Sequence, residues 1–178
     1  LRQRETIQPP GSVRFCTQLN RDRLQESADL GAFLFGAERS ALGALVPLLE
    51  QVQDGRCFYC GRRPTKPVVD HFVPWSRYPV DLGHNFVLAD ADCNGAKSAS
   101  LAAEPHLEAW WRRNQQHAEA LRDGFNKIAV AHDLEASERV ARWAYGAVSA
   151  RKGVVWQGPG PRHRARLSSE WATLLVPP

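Results

Sequence analysis

Residues 68–98 read VVDHFVPWSRYPVDLGHNFVLADADCNGAKS, and this stretch decides the fold. Two segments rich in valine and phenylalanine, KPVVDHFVPW (66–75) and NFVLAD (85–90), flank the polar loop SRYPVDLGH. Such residues fit a pleated surface, so a hairpin is expected, with the first strand ending before Pro74. CNGAKSASLAAE (93–104) then reads as a helix crossing that hairpin, weakened by Gly95. Strand alternation places Val69, His71 and Val73 on one face, with Asp70 and Phe72 on the other. Asp70 and His71 therefore cannot share a face unless the strand ends or bulges there. At the strand end that Pro74 predicts they can serve separate tasks, one holding a metal and one activating water.

The polar residues of this unit suggest its chemistry. Asp70, His71 and, across on the helix, Asn94 are expected to meet around one point, with Lys97 one helical turn beyond Asn94. Two protein oxygens with open water positions suit a hard cation of the Mg²⁺ or Mn²⁺ type. Histidine exchanges its proton near neutral pH and can take one from attacking water. Together these parts describe metal-assisted hydrolysis of a phosphodiester.

Working outward, the cysteines lie at 16, 57, 60 and 93. Cys57 and Cys60 form a C-x-x-C in RCFYCGRRP, with Gly61 supplying a turn. A redox C-x-x-C normally opens a helix after a strand, whereas this one reads as a knuckle, which favours structural Zn²⁺. Residues 38–53 carry a helical stripe, Leu42, Leu45, Val46 and Leu49, in which Pro47 predicts a kink or two shorter helices. Leu107, Trp110, Trp111, Ala118 and Leu121 form a longer stripe behind Pro105, with the tryptophan pair read as core. Val140, Trp143, Ala144 and Ala147 form another, stopped by Gly153. VVWQG (154–158) is a candidate short strand.

Charge is uneven along the 178 residues. Residues 1–150 balance, while 151–178 hold Arg151, Lys152, Arg162, Arg164 and Arg166 against Glu170 alone, giving the whole net +4. A basic terminal segment suits a polyanion, because each neutralised phosphate releases counterions. No apolar run is long enough to span a membrane, and no secretory signal is evident, so a cytoplasmic location is expected. Methionine is absent even at position 1, as in a processed or excised fragment. The fold class expected is α+β, a mostly helical chain around the hairpin and its helix. It divides into an N-terminal arm and helices (1–53), the hairpin core (54–101), C-terminal helices (102–153) and a basic segment (154–178).

The core resembles the HNH endonuclease family, the ββα-metal nucleases. The resemblance rests on DHFVPWS, HNFVLAD and CNGAKS, with fourteen residues from His71 to Asn85 and nine from Asn85 to Asn94. It covers residues 54–101, about a quarter of the chain. It implies that His71 is the general base and that Asp70 and Asn94 hold the catalytic Mg²⁺ or Mn²⁺. Asn85 becomes the middle position of the trio, bonding backbone behind His71. Lys97 and Arg77 become phosphate contacts, joined by Arg162, Arg164 and Arg166 of the tail. DNA is the expected partner, with RNA as a weaker alternative, and a second copy or a larger antiviral defence complex as the expected assembly.

Many members of that family carry a second C-x-x-C before the helix asparagine. Here Asp90 stands at its first position and Cys93 at its second. Cys57, Cys60, Asp90 and Cys93 are therefore the expected zinc ligands. His84 or Cys16 remain alternatives for the fourth, as does a site without zinc. His106, His117 and His132 are read as surface or capping residues. The rival functional reading is a zinc-stabilised nucleic-acid-binding module without cleavage.

Overall fold

In the computed structural model the described residues are 42–160 and 163–175. Strands β1 (Pro67–His71) and β2 (Phe86–Asp90) pair antiparallel, with Asp70 opposite Val87 and His71 opposite Phe86. Helix α1 (Val46–Val52) precedes this hairpin and α2 (Ala91–Lys97) follows it directly. Then come α3 (Glu104–Gln116), α4 (Ala118–Lys127) and α5 (Leu134–Ala150). A second hairpin, β3 (Val154–Trp156) with β4 (Arg164–Arg166), leads to the short α6 (Trp171–Leu174). The architecture is α+β.

Alternation along β2 divides the core in two. Val87 and Ala89 join Phe72, Trp110, Tyr145 and Trp156 in one cluster, while Phe86 and Leu88 join Leu45, Leu49, Leu121 and Phe125 in the other. Helices thus cover both faces of a two-stranded sheet that would be marginal alone. Phe72 stacks on Trp110 at 5.1 Å between ring centroids. Arg113 is buried with no acidic partner among the described residues and donates instead to the carbonyls of Phe86 and His84. Burial pulls its guanidinium down to about 9.

The stripe of 38–53 is interrupted as Pro47 predicts: helical residues 42–43 give way to a turn at 44–45, and Pro47 sits in the first turn of α1, where its missing N–H costs nothing. Three other elements differ from the sequence expectation. The helix after the hairpin stops at Lys97, because Ser98 adopts φ +49° and Leu101–Ala103 turn into the core. The long stripe of 107–121 is two helices broken at His117, since Leu107 and Trp110 face one core cluster and Leu121 and Phe125 the other. Trp143 is 57% exposed, the buried face of α5 being Ser137, Ala141, Ala144, Tyr145 and Val148. Gly124, within α4, lets that helix close on α1: a Cβ there would lie 2.4 Å from Leu48.

Candidate functional site

The C-x-x-C is a tight turn built against β2. The Cys57 amide donates to the Arg62 carbonyl at 2.8 Å, the Gly61 amide to the Cys57 carbonyl at 2.9 Å, and Gly61 takes φ +69°. The Phe58 amide donates to the Leu88 carbonyl at 2.8 Å, fastening the knuckle to the hairpin. Because α2 begins as β2 ends, Cys93 is delivered to the same place. The sulfurs of Cys57, Cys60 and Cys93 all lie within 4.8 Å of one another, and none is in a disulfide. The Asp90 amide donates to Cys57 Sγ at 3.3 Å. Burial and its two thiol neighbours push Cys93 well up. Burial acts upward on Cys60 too, but the Arg62 backbone and side chain bring it below its ordinary value. Three sulfurs this close repel one another as anions, and a soft divalent cation such as zinc removes that repulsion.

The trio within mutual reach is the three cysteines without Asp90, although Asp90 lines the same cleft as Cys60 and Cys93. The Asp90 carboxylate is already engaged: Oδ1 caps α2 by accepting from the Asp92 amide at 3.0 Å. Oδ2 accepts from the amide and hydroxyl of Thr65, at 2.7 and 3.1 Å. These bonds hold the exposed carboxyl below its usual range, with the Asp92 and Thr65 amides as the main causes. His84 is no substitute, since its ring packs on Phe125 and His132 in the other core cluster. Cys16 lies outside the described residues.

Asp70 faces the knuckle side of the hairpin and is buried. Its Oδ2 accepts from the Tyr59 hydroxyl at 2.5 Å and pairs with Lys97 Nζ at 2.9 Å. Burial keeps the Tyr59 phenol protonated, its ionisation pushed well above the ordinary value. Lys97, expected at a phosphate, is instead wholly buried and also donates to the His71 carbonyl at 2.8 Å. Its charge thus serves Asp70 and the end of β1 rather than the surface. Burial lowers its pKa against the opposing pull of Asp70. Asn94, one turn earlier on α2, is half-buried.

His71 points the other way, as alternation requires. Its ring packs edge-on to Phe86 at 4.8 Å and Trp75 at 5.5 Å, and its Nε2 lies 2.6 Å from Asp81 Oδ1. Asn85 clamps the chain just beyond it: Oδ1 accepts from the Val73 amide at 2.8 Å and Nδ2 donates to the Val73 carbonyl at 3.0 Å. Asp70 and His71 thus share no side-chain bond, and among the described residues the three cysteines are the only such group of histidine, cysteine and acidic ligand atoms brought within mutual reach.

The remaining basic candidates are dispersed. Arg77 is half-buried in the loop after β1. Arg164 and Arg166 are exposed on β4, and Arg162 lies outside the described residues. A cleft beside the knuckle is lined by Cys60, Arg62, Arg63, Thr65, Asp90, Asp92 and Cys93 together with Pro159 of the β3–β4 turn, so carboxylates as well as guanidinium groups border it and the second hairpin adjoins the cysteine cluster. His106 is not a surface residue, being half-buried between Tyr59 and Trp156. Sequence reasoning missed Tyr59 and Asp81. Tyr59 lies inside the C-x-x-C, where the cysteines absorb the interpretation, and Asp81 lies in a loop where no period links it to His71.

No family model matches the chain, and no curated protein matches it. No helix of the described residues is long and apolar enough to cross a membrane.

Proposed function

We propose that this chain is a metal-dependent endonuclease of the HNH type acting on DNA, with zinc at Cys57, Cys60 and Cys93 as its structural ion. The observation that carries the reading is the ββα unit itself: His71 at a strand end, Asn85 clamping the backbone behind it, and α2 locked to β1 through Lys97 and Asp70. In this reading Asp70 and Asn94 would hold the hard cation, with Asp70 Oδ2 already engaged by Tyr59 and Lys97. Bound there, Mg²⁺ or Mn²⁺ would polarise the phosphoryl oxygen and offset charge on the leaving oxygen. His71 acts as general base. With Nε2 donating to Asp81, its Nδ1 keeps the lone pair that accepts a proton from water. Arg164 and Arg166 of β4, with Arg62 and Arg63 of the knuckle, supply exposed positive charge for the backbone phosphates.

Plasmid cleavage with Mg²⁺ or Mn²⁺ tests this. Wild type nicks or linearises DNA, and His71→Ala binds it without cutting. A zinc-stabilised binding module without cleavage is the second reading, favoured by the engagement of Asp70 with Lys97 and by the opposed directions of Asp70 and His71. Wild-type protein that binds DNA but stays inert with every divalent ion tried establishes that reading instead.

A further inference from the structure

Arg113 keeps its charge in the interior without a carboxylate among the described residues to offset it. Its four hydrogen bonds run to neutral acceptors, the carbonyls of Phe86 and His84 and the side-chain oxygen of Asn114. Taking a cation out of water is costly unless a countercharge accompanies it. The same guanidinium borders a groove of about 280 Å³ between the end of α1, the knuckle and α3. Arg56, Arg112 and Arg113 line this groove with Gln53, Gln116 and His117, and no aspartate or glutamate lines it. In the cleft at Cys60, by contrast, Asp90 and Asp92 stand beside Arg62 and Arg63.

The two outer arginines are available to a ligand. Arg56 is exposed and spends one bond, from Nη1, on the Gly61 carbonyl at 3.1 Å. Arg112 pairs with Glu108, but both side chains are largely solvated, and an exposed pair of this kind is weak enough to yield to a stronger anion. Guanidinium groups match phosphate in both charge and geometry, since two parallel N–H donors meet two oxygens. Positive charge at the end of α3 also offsets the helix dipole, but that role involves no choice among anions.

We propose that this groove is an oxyanion site that takes a phosphate group, with Arg113 as its buried, fixed cation and Arg56 and Arg112 as the arms at its rim. The inference is independent of the endonuclease reading. Inorganic phosphate and the phosphates of a DNA backbone present the same chemistry, and two arms of one experiment separate them.

In the first arm, full-length protein is titrated with inorganic phosphate at constant ionic strength, following the arginine Nε–H NMR signals and the thermal midpoint. Phosphate shifts the Arg112 and Arg113 signals saturably and raises the midpoint, whereas chloride does neither. Arg112→Gln leaves the bonds of Arg113 intact and weakens phosphate binding about tenfold, the loss of one charge-assisted hydrogen bond. In the second arm, duplex DNA binding is measured against salt concentration. A backbone phosphate in the groove makes the salt slope of Arg112→Gln shallower by about one. Saturable phosphate binding with an unchanged slope, or with no DNA bound, assigns the groove to free phosphate. Phosphate that binds no better than chloride, with the slope unchanged or no DNA bound, overturns the proposal.

Discussion

His71 Nε2 lies 2.6 Å from Asp81 Oδ1, across the loop that joins the two strands of the central hairpin. A carboxylate in that place selects one tautomer, with the proton on Nε2. The loop therefore does more than connect β1 to β2, since it aims the ring that ends β1.

Asp81→Asn keeps the size of the side chain but removes its charge and permits the opposite tautomer. Cleavage by the variant is expected to fall by at least about tenfold, within the roughly 10²- to 10⁴-fold a general base supplies. DNA affinity should stay unchanged, because Asp81 faces the imidazole. Steady-state cleavage together with a binding isotherm measures both. Undiminished cleavage removes Asp81 from the site.

The Lys97–Asp70 pair is buried, so removing one partner strands the other. Lys97→Met is expected to destabilise the protein by about 3–5 kcal/mol, since Asp70 would be left with Tyr59 alone. Asp70→Asn added to it should recover part of that loss. Urea denaturation of the two single variants and the double variant gives the comparison, and strictly additive losses would show that the ion pair is not the source.

Asp90→Ala separates a helix cap from a metal ligand. Zinc content should be unchanged while stability falls by about 1 kcal/mol, because the Asp92 amide loses its acceptor. Cys93→Ser should lower zinc content and stability together. Zinc analysis of both variants decides the matter, and loss of zinc from Asp90→Ala would restore the carboxylate to the ligand set.

His84 gives a pH dependence with a definite sign. Burial first, then Arg113 and His132, pushes its imidazole down from 6.5 to about 4. Between those values the unfolded chain binds a proton that the folded one does not, so stability rises with pH across this window. The contribution is complete above about pH 6.5 and is lost as pH falls toward 4. A histidine-ring NMR titration should show one ring with a midpoint near 4, absent in His84→Gln, and a midpoint at or above 6 for that ring contradicts the burial argument.

Much of the hairpin was legible because its signals are local. Val68, Val69, Phe86 and Val87 prefer a pleated backbone wherever they occur, and Pro74 can end a strand without help from the rest of the fold. The C-x-x-C turn is equally local, since Gly61 and the cysteine spacing define it. The helices were less legible where two core clusters compete. The break at His117 and the exposure of Trp143 follow from which face each helix offers to which cluster, and a hydrophobic period does not carry that choice.

By itself, then, the sequence determined the α+β order of elements, the hairpin and the convergence of three cysteines on one point. Tertiary structure alone decided the partners of the polar groups: Tyr59 and Lys97 for Asp70, Asp81 for His71, Thr65 and the start of α2 for Asp90. The physical reason is that strand and helix preferences are written in neighbouring residues. A buried charge instead takes whichever complementary group the packed chain brings within about 3 Å, at any distance along the sequence.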